Sequence, residues 1–373
     1  MNGFKVEESK EIFGAKIKVV GVGGCGGNMI NNIVRHGVSG IDLIAANTDA
    51  QALNNSLATL KIQLGEKKTR GLGAGGNPET GKDAALESYE EIKSALENAD
   101  IVFISAGLGG GTGTGAAPVI AQAAKEVGAL AVSIVTMPFV FELKRKTKLA
   151  ENGLFELQKE SDSIIVIQNE KLLSVIGRNL GIRDSFKIVD DVLSRAVCGM
   201  SDIVLSNGII NVDFADIKTV MSHRGKALMG AGEYRGENAA YEAVKNAIES
   251  PLLDNVTIKG ALGVIVYFYT HPDYPLNDIG SAMEIIENDV DENALAKQGV
   301  THDESLPIDF VRVTIIATGS GNRLEETRDI KSINTSSDLT RKERLHKLAK
   351  VVGGDNGNSD FLDIPAYLRN QMD

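Results

Sequence analysis

Gly109-Gly110-Gly111-Thr112-Gly113-Thr114-Gly115 decides the reading of this chain, because five glycines and two threonines follow the apolar run 101–104. Backbone of this kind suits a phosphate. Glycine admits φ > 0, so successive N–H groups can turn inward without a Cβ in the way, and the hydroxyls add donors. The helix-like pattern over 116–125 sets a positive dipole end at the same point. The bland alternative is a strand-to-helix turn that touches nothing. Glycine at this density, however, loses much conformational entropy on folding and needs a compensating use.

Outward from that stretch, apolar runs alternate with amphipathic ones. Runs 17–20, 43–46, 101–104, 130–135 and 164–167 predict strands, and the patterns 28–35, 82–97, 116–125 and 144–158 predict helices between them. The fold class is therefore α/β, a doubly wound, mostly parallel sheet with its ligand beyond the carboxyl ends of the strands. A long helical segment, 185–199, leads into a smaller α+β region with strand-like runs 263–269 and 310–317 and an amphipathic stretch 281–287. The expected organisation is an extension 1–15, a nucleotide domain 16–182, a connecting helix 183–207, an α+β domain 208–320, a polar linker 321–360 and a terminal peptide 361–373. The linker is too poor in large apolar residues to form a core. An apolar island at the end of such a tail suits a docking peptide.

The 373 residues, 43% apolar and 24% charged, fit a globular chain of two or three domains. A net charge of −11 argues against generic attraction to nucleic acid or membrane surfaces, while backbone donors and Mg²⁺ can still receive an anionic substrate. Cys25 and Cys198 form neither a disulfide framework nor a zinc pattern, which points to a reducing cytoplasm. No signal-peptide core opens the chain, and the run 127–137 falls well short of the ~20 residues that span a bilayer. His36, His223, His271, His302 and His346 have no metal-ligand spacing.

Two other glycine motifs compete for the chemistry. Gly21-Val22-Gly23-Gly24-Cys25-Gly26 matches a dinucleotide fingerprint directly after a strand, which taken alone favours a Rossmann-type oxidoreductase. That reading wants an acid at the end of the next strand, where Asn47 stands, and leaves the Gly109 loop without a role. Gly76-Asn77-Pro78-Glu79-Thr80-Gly81-Lys82-Asp83 fits a P-loop through its lysine, but Asp83 stands where Mg²⁺ chemistry wants Ser or Thr and no apolar strand precedes it.

What remains is three segments, 24–28, 73–77 and 109–115, each able to offer backbone donors to one polyphosphate. At this point the chain resembles the tubulin/FtsZ GTPases. The 109–115 stretch looks like their signature. Asn47-Thr48-Asp49-Ala50-Gln51-Ala52-Leu53, Thr69-Arg70-Gly71-Leu72-Gly73-Ala74-Gly75, Asn211-Val212-Asp213-Phe214-Ala215-Asp216 and the tail Asp363-Ile364-Pro365-Ala366-Tyr367-Leu368-Arg369 narrow the likeness to the bacterial cell-division branch.

The resemblance implies a cytoplasmic, mid-cell GTPase that polymerises head to tail, with GTP/GDP bound and Mg²⁺ held mainly through phosphates and water. Gly24, Cys25, Gly26, Gly27 and Asn28, with Gly110, Gly111, Thr112, Gly113 and Thr114, would hold the phosphates. Ala74, Gly75 and Gly76 would meet the γ-phosphate, and Asn47, Asp49 and Lys146 belong to the same nucleotide set. Glu142 would bond the ribose. Asn169 and Asp190 would read the guanine edge, a carboxylate accepting from N1–H and the 2-amino group, with Phe186 stacked on the base. Core packing explains Phe186 nearly as well, and Asp190 with Asp191 also suits a solvated helix face. Cys25, Leu143, Lys146 and Gln168 stand where the family usually has Gly, Gly, Arg and Pro, and 267–302 departs more.

Asp213 and Asp216, three apart, would share a helical face and orient a water or help hold a cation. Spacing alone favours a plainer reading, Asp213 as N-cap of a helix carrying Phe214, Ile217, Val220 and Met221. The resemblance reverses that preference: with Asn211, this loop would complete the site of the next subunit, a heterologous contact that builds open filaments. Phe361, Leu362, Asp363, Ile364, Pro365, Tyr367, Leu368 and Arg369 would dock on membrane-tethering division proteins such as FtsA and on assembly regulators. No nucleic acid and no direct membrane insertion are expected.

Overall fold

The computed structural model describes residues 15–176, 181–205, 208–222, 226–250, 258, 260–290 and 294–319. The expected linker 321–360 and docking peptide 361–373, and all but the last residue of the expected extension 1–15, lie outside them.

Strands β1 (Ile17–Val22), β2 (Ile41–Asn47), β3 (Leu60–Gln63), β4 (Ile101–Gly107), β5 (Leu130–Met137) and β6 (Ser163–Gln168) pair in parallel in the order β3-β2-β1-β4-β5-β6. Both faces of this sheet are covered, which is why its strands read as near-continuous apolar runs. In β4, Ile101 and Phe103 enter one core while Val102 and Ile104 enter the other. The sheet continues into β7 (Lys226–Arg235), β10 (Phe310–Thr318), β8 (Gly263–Thr270) and β9 (Leu295–His302), in that spatial order. Among the described residues, two ladder pairs join the halves, Ile164 with Lys226 and Ile165 with Ala227. Beyond them β10 runs antiparallel to β7 and β8, and β8 parallel to β9.

Helices α1 (Gly23–Arg35), α2 (Ala50–Asn54), α3 (Glu66–Thr69), α4 (Pro78–Glu87), α5 (Tyr89–Leu96), α6 (Thr112–Glu126), α7 (Lys144–Glu160) and α8 (Asn169–Ile176) fill the connections of the first half. α9 (Ile182–Leu205) crosses to α10 (Phe214–Met221), α11 (Ala239–Ile248) and α12 (Leu276–Asp289). The stripe Val189, Leu193, Ala196, Val197, Met200 and Ile203 of α9 shares one core with Ile101 and Phe103 of the first half and Ile265 and Ile316 of the second. One amphipathic helix thus ties both regions together.

Two expectations are corrected, and three elements of the second half were not expected. The single helix over 82–97 is two, because the Ser88 hydroxyl accepts from Gly65 N (3.1 Å) and donates to Gln63 O (3.3 Å), pinning the chain between α4 and α5. Helices α1 and α6 begin five and four residues before the periodic patterns at 28 and 116, inside the glycine segments themselves. In the second half β7, α11 and β9 had no clear pattern. Gly232 explains part of this: a Cβ there would lie 2.2 Å from Ala243 O, so the strand needs a glycine for α11 to lie on it, and glycine weakens a strand signal.

Candidate functional site

The order of the parallel strands reverses between β1 and β4, so the connections after these neighbours leave toward opposite sides and open a crevice at their carboxyl ends. Helices α1 and α6 start there. Neither has a side-chain cap or an acidic residue in its first turn, and an ideal Cβ on Gly23 would lie 3.1 Å from Gly113 N, so the two starts touch. Adjacent N-termini whose first N–H groups lack side-chain partners form a receptor for an anion.

The glycines divide by purpose. Within 109–115 only Gly109 has positive φ, at 96°, so the expected run of inward-turned left-handed residues is not how this loop is built. Most of the others permit close approach. A Cβ on Gly111 would lie 2.8 Å from Ala74 Cβ and 2.9 Å from Asn77 N, on Gly113 2.6 Å from Gly107 O, and on Gly115 2.0 Å from Pro78 O. The Gly111 and Gly115 contacts press the 73–77 turn and α4 against the start of α6, and the Gly113 contact seats that start on the end of β4. Gly24, Gly27 and Gly110, by contrast, have nothing within 4 Å of an added Cβ; the latter two are half-buried, leaving open space where a side chain would stand. Gly75 and Gly76 also face open space, with φ of 59° and 72°. The threonine hydroxyls are used inside the protein: Thr114 Oγ1 accepts from Gly109 N (2.9 Å), and Thr112 Oγ1 pairs with Thr48 Oγ1 (2.6 Å). As an acceptor in the first of these bonds, the Thr114 hydroxyl keeps its own proton to donate.

A cleft of about 300 Å³ opens from this point, lined by Cys25, Asn28, Gly110, Glu142, Lys146, Asn169, Phe186 and Asp190, and also by Thr136, Pro138 and Val189. The last three, and Gly107 and Leu108 that line it too, were not anticipated; Thr136 and Pro138 sit at the carboxyl end of β5, where strand order alone could have pointed. Asn169 is buried and its Oδ1 has no hydrogen-bond partner, an orphaned polar atom at the wall of a cleft. Asp190, from α9, has its carboxyl pushed up to about 7, first by burial, then by the charge of Asp191, and restrained by a hydrogen bond from Asn28. A base edge with two donors would suit that carboxylate. Phe186 is 40% exposed and packs edge-on against Phe139 at 5.3 Å, so it both joins an aromatic cluster and presents a face to the cleft.

Glu142 accepts from Phe139 N (3.1 Å) and pairs with Lys146 Nζ (2.8 Å), which places Lys146 on the carboxylate. Leu143 follows with φ 75° and ψ 148°, a region suited to glycine, so leucine at this position carries backbone strain. The thiol of Cys25, 3.9 Å from Thr136 Oγ1, is pushed up to about 12, chiefly by burial, and stays protonated. Asp49 caps α2, accepting from Gln51 N and Ala52 N, while Asn47 Oδ1 accepts from Asp49 N (3.2 Å); neither lines the cleft.

Asp213, Asp216 and Asn211 also lie off the cleft wall. Asp213 is the N-cap of α10, its Oδ1 accepting from Asp216 N at 2.7 Å, which is the plainer of the two readings that the spacing allowed. Asp216 meets Lys297 Nζ at 2.8 Å, and Asn211 Oδ1 accepts from Gly208 N at 2.6 Å.

Residues 16–177 match the model of the Tubulin/FtsZ family, GTPase domain. Cell division protein FtsZ of Helicobacter pylori (strain J99) is 50% identical over 96% of this chain and 93% of its own length. The chain belongs to the tubulin/FtsZ family. Residues 225–321 match the FtsZ family C-terminal domain, and Cell division protein FtsZ of Pseudomonas aeruginosa is 45% identical over 96% of this chain and 97% of its own. Among solved structures, an empty FtsZ dimer from M. jannaschii is 46% identical with a TM-score of 0.78, covering 83% of this chain and 89% of that one. CetZ2 from Haloferax volcanii, a GTPγS-bound protofilament, shares the fold at 20% identity and a TM-score of 0.70, over 86% and 99% of the two chains. A tubulin/FtsZ GTPase is an enzyme of cytoskeletal type, and this excludes the oxidoreductase. The fingerprint glycines have a packing reason of their own: a Cβ on Gly21 would lie 2.3 Å from Gly26 O, and one on Gly26 2.5 Å from Ser105 O, so both let α1 lie against β1 and β4. The P-loop mimic lacks its preceding strand, since α4 starts at Pro78 under an Asn77 cap.

Proposed function

We propose that this chain binds GTP in the cleft between α1, α6 and α9 and hydrolyses it only after head-to-tail assembly into the filaments of the cell-division ring. The observation that carries this reading is a division of labour. In this reading the cleft offers backbone N–H groups to the phosphates and Asn169 and Asp190 to guanine, yet among the described residues the carboxylates on its wall are Glu142, engaged by Lys146, and Asp190 at the base end. The acidic pair suited to orient a water, Asp213 and Asp216, stands on another element, at the start of α10. A neighbouring subunit brings the two together, with Asn211 as part of the entering loop.

In this scheme the first turns of α1 and α6, through Gly24 to Asn28 and Gly110 to Thr114, cradle the phosphates, and the 74–76 turn, packed on Gly111, senses the γ-phosphate. Glu142 and Lys146 meet the sugar, and Phe186 covers the base. Asn47 and Asp49 order the rim. The donor set at the glycine turns is N–H rather than carboxylate, so Mg²⁺ would be held by phosphate oxygens and water and would supply charge neutralisation there. Cytoplasmic placement at mid-cell and docking of tethers such as FtsA on Phe361 to Arg369 complete the reading.

The test is GTP turnover against protein concentration. The rate per molecule rises steeply above the assembly threshold; a rate that stays flat to the lowest concentration sinks the shared site.

A further inference from the structure

The segment 267–302, which departs most from the family pattern, supplies a residue with no assigned part in the reaction. Lys297 of β9 places its Nζ 2.8 Å from Asp216 Oδ1. The pair is not built for stability: the side chains are 36% and 28% exposed, and such pairs contribute little to folding. Its placement is nevertheless well defined. Ile209 N and Ile210 N both donate to Val300 O, and Val300 N donates back to Ile210 O, so the chain leading into the acidic loop is stitched to β9. Two residues along β9 from Lys297, on the same face, a Cβ on Gly299 would lie 2.4 Å from the Tyr267 ring and 3.1 Å from Val212 Cγ2. Gly299 therefore lets the loop seat directly on the strand, and Lys297 rides beside it.

The two aspartates are held in different ways. Asp213 is tied by its cap bond to a backbone N–H. Asp216 has its own backbone N–H in that bond, but its carboxylate is held by Lys297. We infer that Lys297 is a positioning residue for GTP hydrolysis, holding the Asp216 carboxylate in the orientation it presents to the nucleotide of the adjoining subunit. Asp216 and Asp213 both favour the charged lysine, which keeps the cation in place at working pH. This inference rests on the shared-site reading above.

The experiment uses the full chain, with turnover expressed per assembled subunit after sedimentation. Lys297→Met lowers kcat roughly 10- to 100-fold, as a misplaced catalytic group does, while KM for GTP and the melting temperature stay at wild-type values. Lys297→Gln repeats the loss, and Lys297→Arg recovers most of the rate. In an Asp216→Ala background Lys297→Met has no further effect. Wild-type kcat in both Lys297→Met and Lys297→Gln, with Asp216→Ala inactive, overturns the positioning role and leaves the shared site standing. So does an arginine variant no faster than the methionine one. Wild-type turnover in Asp216→Ala overturns the shared site itself.

Discussion

Helices α1 and α6 and helix α10 all begin at turns on which the proposed function rests, yet their first turns are built in opposite ways. α1 and α6 start without a side-chain cap, next to glycines with open space where a Cβ would be. α10 starts under a full Asp213 cap, with Asp216 in its first turn. An uncapped start at the mouth of a parallel sheet keeps its N–H groups and dipole for a ligand. A capped start has spent both on its own acid, so what it can offer outward is negative charge. The first kind receives a phosphate and the second repels one unless it has other work, such as holding a water or a cation.

Breaking the comparison at the glycines gives the largest effect. Gly115→Ala places a methyl 2.0 Å from Pro78 O and 2.6 Å from Lys82 N, both backbone, and should cost about 3 kcal/mol in denaturant unfolding. Gly110→Ala meets nothing within 4 Å and should leave stability within about 0.5 kcal/mol, while GTP affinity by calorimetry falls about tenfold or more because the methyl enters the ligand's space. Equal stability losses at the two positions would erase the division between packing and cradle glycines.

At α10 the acids should separate stability from turnover. Asp213→Ala loses a cap and about 1 kcal/mol; Asp216→Ala, which loses only an exposed pair, should change stability by less than about 0.5 kcal/mol. Both abolish GTP turnover and retain GTP binding. A stable, active Asp213→Ala would make the cap the whole purpose of that residue.

The smallest effect is a pH dependence at the base end of the cleft. Burial raises the Asp190 carboxyl from 3.8 to about 7, so its contribution to stability is complete below 3.8 and is lost as pH rises through 7. Asp190→Asn should therefore flatten the ligand-free melting profile across that window, with a higher melting temperature than wild type at pH 8. GTP affinity moves the other way in the wild type, weakening below pH 7 as the carboxylate is protonated. An unchanged melting profile in the variant would refute the raised carboxyl, and a wild-type GTP affinity that stays flat through pH 7 would remove Asp190 from the guanine edge.

The strands of the first half were legible because a sheet buried on both faces writes unbroken apolar runs, and 17–20, 101–104 and 164–167 all fall inside observed strands. The starts of α1 and α6 were not, since glycines in a first turn carry no 3.6-residue apolar period. β9 was hidden for another reason: its outward half alternates Leu295, Ala296, Lys297 and Gln298, a pattern of a partly exposed strand without strong β-formers.

Sequence alone determined the α/β class, the glycine segments and their likeness to the tubulin/FtsZ family, because periodicity and motif spacing are local properties of the chain. Tertiary structure decided which glycines pack and which leave room, that Asn169 Oδ1 is orphaned, and that Lys297 reaches Asp216. Each of those depends on atoms distant along the chain meeting within a few ångströms, and such distances exist only once the sheet has closed around its helices.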